Sequence, residues 1–357
     1  MARREAMWMA AMLAMGLAGT TGAAETAETA NAEVAALPEA VVTAMRAETP
    51  PAEVPYSGAV VDREALQRTA PRTTPDALRG LPSVMVQKTG YGQGSPYLRG
   101  FTGFRTLMMV DGIRLNNSTF RDGPNQYWNT VDPWSVARYE TVMGPASVLY
   151  GSDAVGGAVN ALTLAPPDWA GQPTYERTLS YRGATADESH QARAGIRARV
   201  TEQLGVVAGF TWKKFNDVRG GDEVGRQRHT GYDEMDLDLR ADYAVSDRAT
   251  LTLAHQQVEQ DDAWRTHSTY YGIAWEGLKK GDDQVRSYDQ GRDLTYLRLA
   301  AADLAGLVSA GSLTLSRQVQ EEDLLRVRAD DRRDETGFEV ATWGAALELH
   351  SESDFGH

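Results

Sequence analysis

GPASVLYGSDAVGGAVN, residues 144–160, is the stretch on which the reading of this chain turns. Gly144, Pro145, Gly151, Gly156 and Gly157 stand among the small residues Ala146, Ser147, Ala154 and Ala158, with Val148, Leu149, Val155 and Val159 interleaved. Glycine allows backbone turns and close approaches that no other residue tolerates. Apolar residues at that density argue against a Gly-rich surface loop. The segment is expected to form tight turns packed inside something larger.

Outward from it, residues 56–163 read as one small α+β domain. Ala59-Val60-Val61 is a strand, Asp62 caps a short helix through Ala70, and Thr74-Pro75-Asp76 opens another with Thr74 as its cap. Val84-Met85-Val86 and Tyr139 to Val142 are strands, Asp132-Pro133 begins a short helix, and Asp111-Gly112 is a hairpin turn. Gly90, Gly92 and Gly94 invite a phosphate-cradle reading. Ser95-Pro96-Tyr97 follows them as strand, so the helix N-terminus that such a cradle needs is missing. No His precedes His190 and no Gly-x-Ser-x-Gly elbow occurs, so no catalytic set is expected.

Upstream, Arg3 and Arg4 precede an uncharged run from Ala6 to Gly19, with Gly22-Ala23-Ala24 behind it. That order reads as a secretory signal peptide over residues 1–24. The run is shorter than the about 20 residues a membrane helix needs. Residues 25–55 are rich in Ala, Thr, Glu and Pro and cannot bury a core, which predicts a flexible tether. Its Val41-Val42-Thr43 run suits strand addition to a partner's sheet edge.

Downstream, over residues 164–357, the pattern changes to period two. Ala192, Ala194, Ile196 and Ala198 alternate with Arg193, Gly195, Arg197 and Arg199, and Leu237 and Leu239 alternate with Asp236, Asp238 and Arg240. The spacing predicts about eight strands, near 175–182, 190–200, 205–215, 231–245, 249–258, 294–302, 312–321 and 338–350. One apolar face, one charged face, and connections alternating between tight turns and long loops (215–230 and 261–291) point to an antiparallel transmembrane β-barrel. A soluble β-sandwich is the alternative for any single strand. Arg177 and Arg317 fall on the apolar face in this register, which predicts a bulge or a shifted register around Arg317. Eight strands would leave no lumen for the preceding domain, so the sheet is expected to be the first part of a larger barrel.

Composition narrows the function. The chain of 357 residues carries a formal net charge of −13 and no Cys. The charge argues against an electrostatic grip on nucleic acid, and the absence of Cys excludes thiolate metal sites and Cys nucleophiles.

These residues resemble the TonB-dependent receptors of Gram-negative outer membranes. The motifs are the run Leu98 to Asn116, containing LRGF and LMMVDGIRLN, and the run Val131 to Asn160. Glu39, Ala40, Val41, Val42, Thr43 and Ala44 look like that family's TonB box. The resemblance implies a plug domain followed by about eight of an expected 22 or so barrel strands. Structural positions of the plug would be Arg99, Gly100, Asp111, Gly112, Arg138, Gly144, Pro145, Tyr150, Gly151, Gly156, Gly157 and Asn160. Met143 stands where the family commonly has Arg, leaving Arg99 and Arg138 as candidates for a charge network between plug and barrel.

The resemblance further implies an importer in the bacterial outer membrane, with plug and box facing the periplasm. It would be driven by TonB and the proton-powered inner-membrane complex, without catalytic residues, bound metal or cofactor. Its ligand would be a ferric siderophore or other iron chelate; haem, cobalamin or a saccharide, a passive channel, and a non-functional fragment are alternatives. Candidate ligand contacts are Tyr91, Gln93, Arg121, Asn125, Gln126, Tyr127 and Trp128 on two plug loops (88–96 and 116–129), and His229, Trp264, Arg265, His267, Tyr270 and Tyr271 on barrel loops. His267 beside Tyr270 is also a candidate haem-binding pair. For each, a role in packing or a solvated position is the competing reading.

Overall fold

A computed structural model describes residues 57–351 except 222, 275, 276, 278, 305 and 306. The expected signal peptide and TonB box lie outside the described residues. The first described element, β1 (Ser57–Val61), leads through Asp62 into helix α1 (Arg63–Thr69). The Asp62 carboxylate accepts the Ala65 amide at 2.8 Å, a standard N-cap, and Ala70 closes the helix in the left-handed region. Helix α2 (Thr74–Leu78) is capped by Thr73, one residue before the expected cap. Thr74 is unavailable for that task because its buried hydroxyl donates to the Val131 carbonyl at 3.1 Å and meets Tyr139 Oη at 2.9 Å.

Strands β2 (Val84–Gly90) and β3 (Gln93–Leu98) pair as a hairpin with Tyr91 and Gly92 at its tip. A loop over residues 88–96 was expected; the strands instead run almost to the tip. The glycines serve close approach rather than a mobile loop: a Cβ at Gly90 would lie 2.5 Å from the Trp264 carbonyl, and one at Gly92 2.8 Å from the Tyr232 ring.

A five-stranded sheet follows from β4 (Thr106–Val110), β5 (Ile113–Arg114), β6 (Val136–Met143) and β7 (Gly157–Thr163). Its order is β1-β6-β7-β4-β5, with β4 and β7 parallel. Asp111 and Gly112 connect β4 to β5 with φ of 50° and 79°, the conformation of a tight hairpin turn. The helix expected at Asp132-Pro133 is a turn. Asp132 Oδ1 accepts the Trp134 amide at 2.9 Å, its carbonyl accepts Ser135, and β6 begins directly afterwards.

Residues 144–160 close on themselves. The amides of Gly144 and Ala146 donate to the carbonyls of Gly156 and Ala154, both at 2.9 Å, around a single helical turn, α3 (Ser147–Tyr150). Ala146, Tyr150, Ala154, Ala158 and Val159 are buried, whereas Val148 is 93% exposed. The packed setting is therefore the domain's own sheet, and one apolar face of the segment stays open.

Eight antiparallel strands complete the chain: β8 (Thr174–Ala184), β9 (Ser189–Arg199), β10 (Leu204–Phe215), β11 (Tyr232–Ser246), β12 (Ala249–Trp264), β13 (Val285–Ala301), β14 (Ala310–Val327) and β15 (Arg333–His350). They form a meander in which each strand pairs with the next, and β8 and β15 are open edges. Apolar residues such as Leu179, Leu253, Leu297 and Leu315 are exposed on the outer face, while Arg193, Lys213, Asp236 and Arg292 are buried on the inner face against the preceding domain. Strands β12 to β15 are longer than their alternation suggests. Their extensions carry polar residues on both faces (Asp289 and Asp323 on one, Gln290 and Glu322 on the other), so no apolar period marks them. Two connections on the long-loop side, 185–188 and 328–332, are also short.

No bulge accommodates Arg317. Its ladder is regular on both sides, from Thr295 on β13 to Trp343 on β15. The guanidinium sits on the outer face with its carbon 5.8 Å from the Trp343 ring centre.

The inner domain is locked to the wall by buried charge. Lys213 Nζ lies 2.8 Å from Asp132 and 3.0 Å from Asp236, and also pairs with Glu234. Arg193 bonds Asp238 at 2.7 Å, and Thr211 donates to Asp132 at 2.7 Å. Burial alone would raise the Asp132 carboxyl, but Lys213 and Arg193 hold it below the usual carboxylate range. A second contact comes from the Asp111-Gly112 turn, where Tyr296 donates to Asp111 Oδ2 at 3.1 Å and Arg298 donates to its carbonyl. Arg138, by contrast, pairs with Glu140 of its own strand at 2.7 Å, and Arg99 is exposed at a turn.

Two outcomes test this packing. A Cβ at Gly156 would lie 2.5 Å from Phe101 Cβ, and one at Gly157 would clash with the Val142 carbonyl. Gly156→Val or Gly157→Val should therefore cost about 1–3 kcal/mol or more and lower the melting temperature in detergent. Gly80→Ala, with open space around it, should leave it unchanged. Lys213→Met leaves buried carboxylates without their cation and should cost about 3–5 kcal/mol, read as loss of the trypsin-resistant inner domain.

Candidate functional site

On the long-loop side the inner domain presents two segments, the β2–β3 hairpin tip and residues 115–130. They meet wall residues from β12, β14, β15 and the 265–284 connection. Gln93 and Gln126 are completely buried there. Gln93 Nε2 donates to the Ala263 carbonyl at 3.1 Å, and its Oε1 accepts from Arg265 Nε at 3.0 Å. Gln126 Oε1 accepts from Arg265 Nη2 at 2.9 Å and also from Arg121, while its Nε2 donates to Glu322. Arg265 is thus a wall residue bonded to both apical segments, with its guanidinium 4.6 Å above the Tyr288 ring. Burial lowers its pKa to about 10, so it stays charged at neutral pH.

The remaining candidates divide by setting. Tyr127 is buried, stacked on Phe120 at 4.2 Å and edge-on to Phe338 at 5.9 Å. Burial raises its hydroxyl to about 12. Trp128 is in the core, and the buried Asn125 accepts the Tyr127 amide at 3.3 Å. Tyr91 at the hairpin tip bonds Asp187 of the wall at 3.2 Å beneath the Arg72 guanidinium, whose carbon lies 3.3 Å from the ring centre.

Trp264 stacks on His229 at 4.1 Å, and His229 meets Tyr271 at 4.4 Å. Tyr270 donates its hydroxyl to Tyr271 at 2.6 Å. His267 is exposed beside Ser268, and burial of part of its ring lowers the imidazole pKa. His229 and Trp264 border an open cleft of about 350 Å³ that Lys214, Asp217, Arg226, Asp233 and Asp262 also line. Among the described residues no group of His and carboxylates is arranged to hold a metal ion. What the arrangement can do is bind: rings and guanidiniums face the loop side, and the polar groups are fixed by one another.

Arg72, Asp187, Tyr288, Glu322 and Phe338 are site residues that sequence reasoning did not reach. Phe338 carried a signal, since it falls on the inward parity of β15 while Trp343, Leu347 and Leu349 point out. It is the one aromatic on that face, among Thr336, Val340, Thr342, Gly344 and Ala346, and it meets Tyr127 of the inner domain. Asp187 and Glu322 carried no comparable signal.

The profile of the TonB-dependent Receptor Plug Domain matches residues 50–158. The vitamin B12 transporter BtuB of Vibrio vulnificus is 25% identical over 333 residues, covering 88% of this chain and 53% of that protein. That of Photobacterium profundum is 34% identical over 128 residues, covering 36% and 21%. The chain thus spans about half the length, or less, of the curated relatives it matches. A solved structure of the ferric enterobactin receptor PfeA of Pseudomonas aeruginosa superposes with a TM-score of 0.61 at 16% identity, over 83% of this chain and 47% of that one. Residues 50–158 thus match the plug domain of the TonB-dependent receptors, and plug and antiparallel wall together share the fold of that solved receptor.

Proposed function

We propose that this chain is the plug-bearing part of an outer-membrane receptor that actively imports a scarce small ligand, an iron chelate, and catalyses no reaction. The observation that carries the proposal is the apex. Two plug segments and several wall elements converge on Arg265 beneath a cluster of aromatic side chains, while the rest of the plug fills the charged inner face. A domain seated in that way blocks passive flow, so passage requires it to shift. The Val41-Val42-Thr43 run, outside the described residues, supplies the strand by which the periplasmic partner TonB would pull. Domain limits follow the same reading: signal peptide 1–24, tether 25–55, plug 56–163 and barrel strands from 164. The ligand-contact residues are those of the apex, with Arg121, Arg265, Trp264, His267 and Tyr270 nearest the loop side. Import of cobalamin is a second reading, favoured by the BtuB relatives.

Cells expressing the receptor should accumulate a radiolabelled ferric tricatecholate. Val42→Pro should abolish accumulation while surface binding persists. Unchanged uptake in that variant would remove the TonB-box assignment, and uptake of cyanocobalamin in place of the chelate would establish the second reading.

A further inference from the structure

We infer that Arg317 and Trp343 form a site on the lipid-facing side of the wall for the headgroup of a zwitterionic aminophospholipid, with the phosphate on Arg317 and the ammonium towards Asp293. The inference rests on the outer-membrane reading above and adds to it a lipid class and the residues that hold it. On strands β12 to β15 the outward residues change character at a single paired row. Towards the short-turn end the rows are Leu253–Leu297–Leu315–Ala345 and Leu251–Leu299–Leu313–Leu347. Towards the loops they are Gln257–Asp293–Val319–Ala341 and Glu259–Gly291–Glu321–Glu339, in which every charge is negative. Between them lies His255–Thr295–Arg317–Trp343. Leucine rows on one side and carboxylates on the other place this row at the edge of the hydrocarbon. There a lipid-facing cation costs far less than at the midplane, and tryptophan is at home.

Arg317 is exposed, and among the described residues its one partner is the Trp343 ring, 5.8 Å from its guanidinium carbon. Asp293, diagonal to it on β13, does not reach ion-pair distance, and Thr295 beside it is engaged by His255, with Oγ1 2.9 Å from Nδ1. The guanidinium's five N–H donors therefore find no acceptor among the described residues. At the hydrocarbon edge a bilayer offers the phosphate ester, which a guanidinium holds through paired charge-assisted bonds. The carboxylates then select the headgroup. Asp293 stands one outward row, about 6.6 Å, nearer the loops, with Glu321 and Glu339 one row beyond. A headgroup carrying negative charge alone meets them unfavourably. In phosphoethanolamine, two methylenes carry an ammonium from the phosphate towards water, in the direction of Asp293. Trp343, 76% exposed, offers a flat apolar surface beside the glycerol.

The test titrates the full chain, purified in detergent and stripped of lipid, with phosphatidylethanolamine or phosphatidylglycerol in the presence of EDTA, and reads the first retained lipid by native mass spectrometry. The wild type should hold phosphatidylethanolamine about threefold more tightly than phosphatidylglycerol. Arg317→Gln should weaken phosphatidylethanolamine binding about tenfold, Arg317→Lys should restore part of the loss, and Asp293→Asn should remove the preference between the two lipids. Both positions lie on the outer face, and heat-modifiable migration in gels should match the wild type in every variant. Phosphatidylethanolamine binding indifferent to Arg317→Gln, or a wild type that holds phosphatidylglycerol equally well, would overturn the inference and leave the outer-membrane reading standing. A chain recovered from the soluble fraction of expressing cells would overturn that reading and the inference with it.

Discussion

A β-wall with a charged inner face can be buried only where each charge finds a counter-charge or a hydrogen-bonding partner, and that constraint shapes this chain. The effective cost of burying an unpaired ion is several kcal/mol, and Lys213, Arg193, Glu234, Asp236 and Asp238 all lie inside. Asp132 is the plug's contribution to that set, bonded to Lys213 and Thr211 and close to Arg193. A turn rather than a helix at Asp132 lets one carboxylate cap its own backbone and reach the wall at once. Paired charge also fixes registry, because a shifted plug would leave Lys213 facing only wall acids.

The apex works on the opposite principle. At Lys213 cations meet carboxylates, whereas at Arg265 a cation meets amides. Bonds of the first kind are hard to exchange; those of the second yield to a better acceptor. The wall thus meets the plug in two ways, through ion pairs around Lys213 and through amide hydrogen bonds at Arg265.

Much of this was legible in the residues. Alternation located all eight wall strands, and the Asp111-Gly112 and Asp62 signals fell where the structure has a turn and a cap. What escaped depends on tertiary partners. Thr73 caps α2 because Thr74 is engaged by Tyr139, and Gly90 and Gly92 look like loop glycines until Trp264 and Tyr232 press on them. The polar ends of β13 and β14 are held by ladder bonds, which leave no mark on hydropathy. Arg317 broke the apolar pattern without breaking the strand, staying exposed on the outer face beside the Trp343 ring on β15. The site was legible as a set of side chains, but the division between buried amides and exposed rings required the fold.

The edge position of β1 has a mechanical consequence. Among the described residues it hydrogen-bonds on one side only, to β6 through five residue pairs from Ser57–Met143 to Val61–Tyr139, and it is the first described element. Tension on the chain before Ser57 loads this seam first, while the ion pairs of Lys213 lie behind α1, α2 and two further strand pairings. The plug is thus graded along its own contour, from a seam that can peel to an anchor that must be torn.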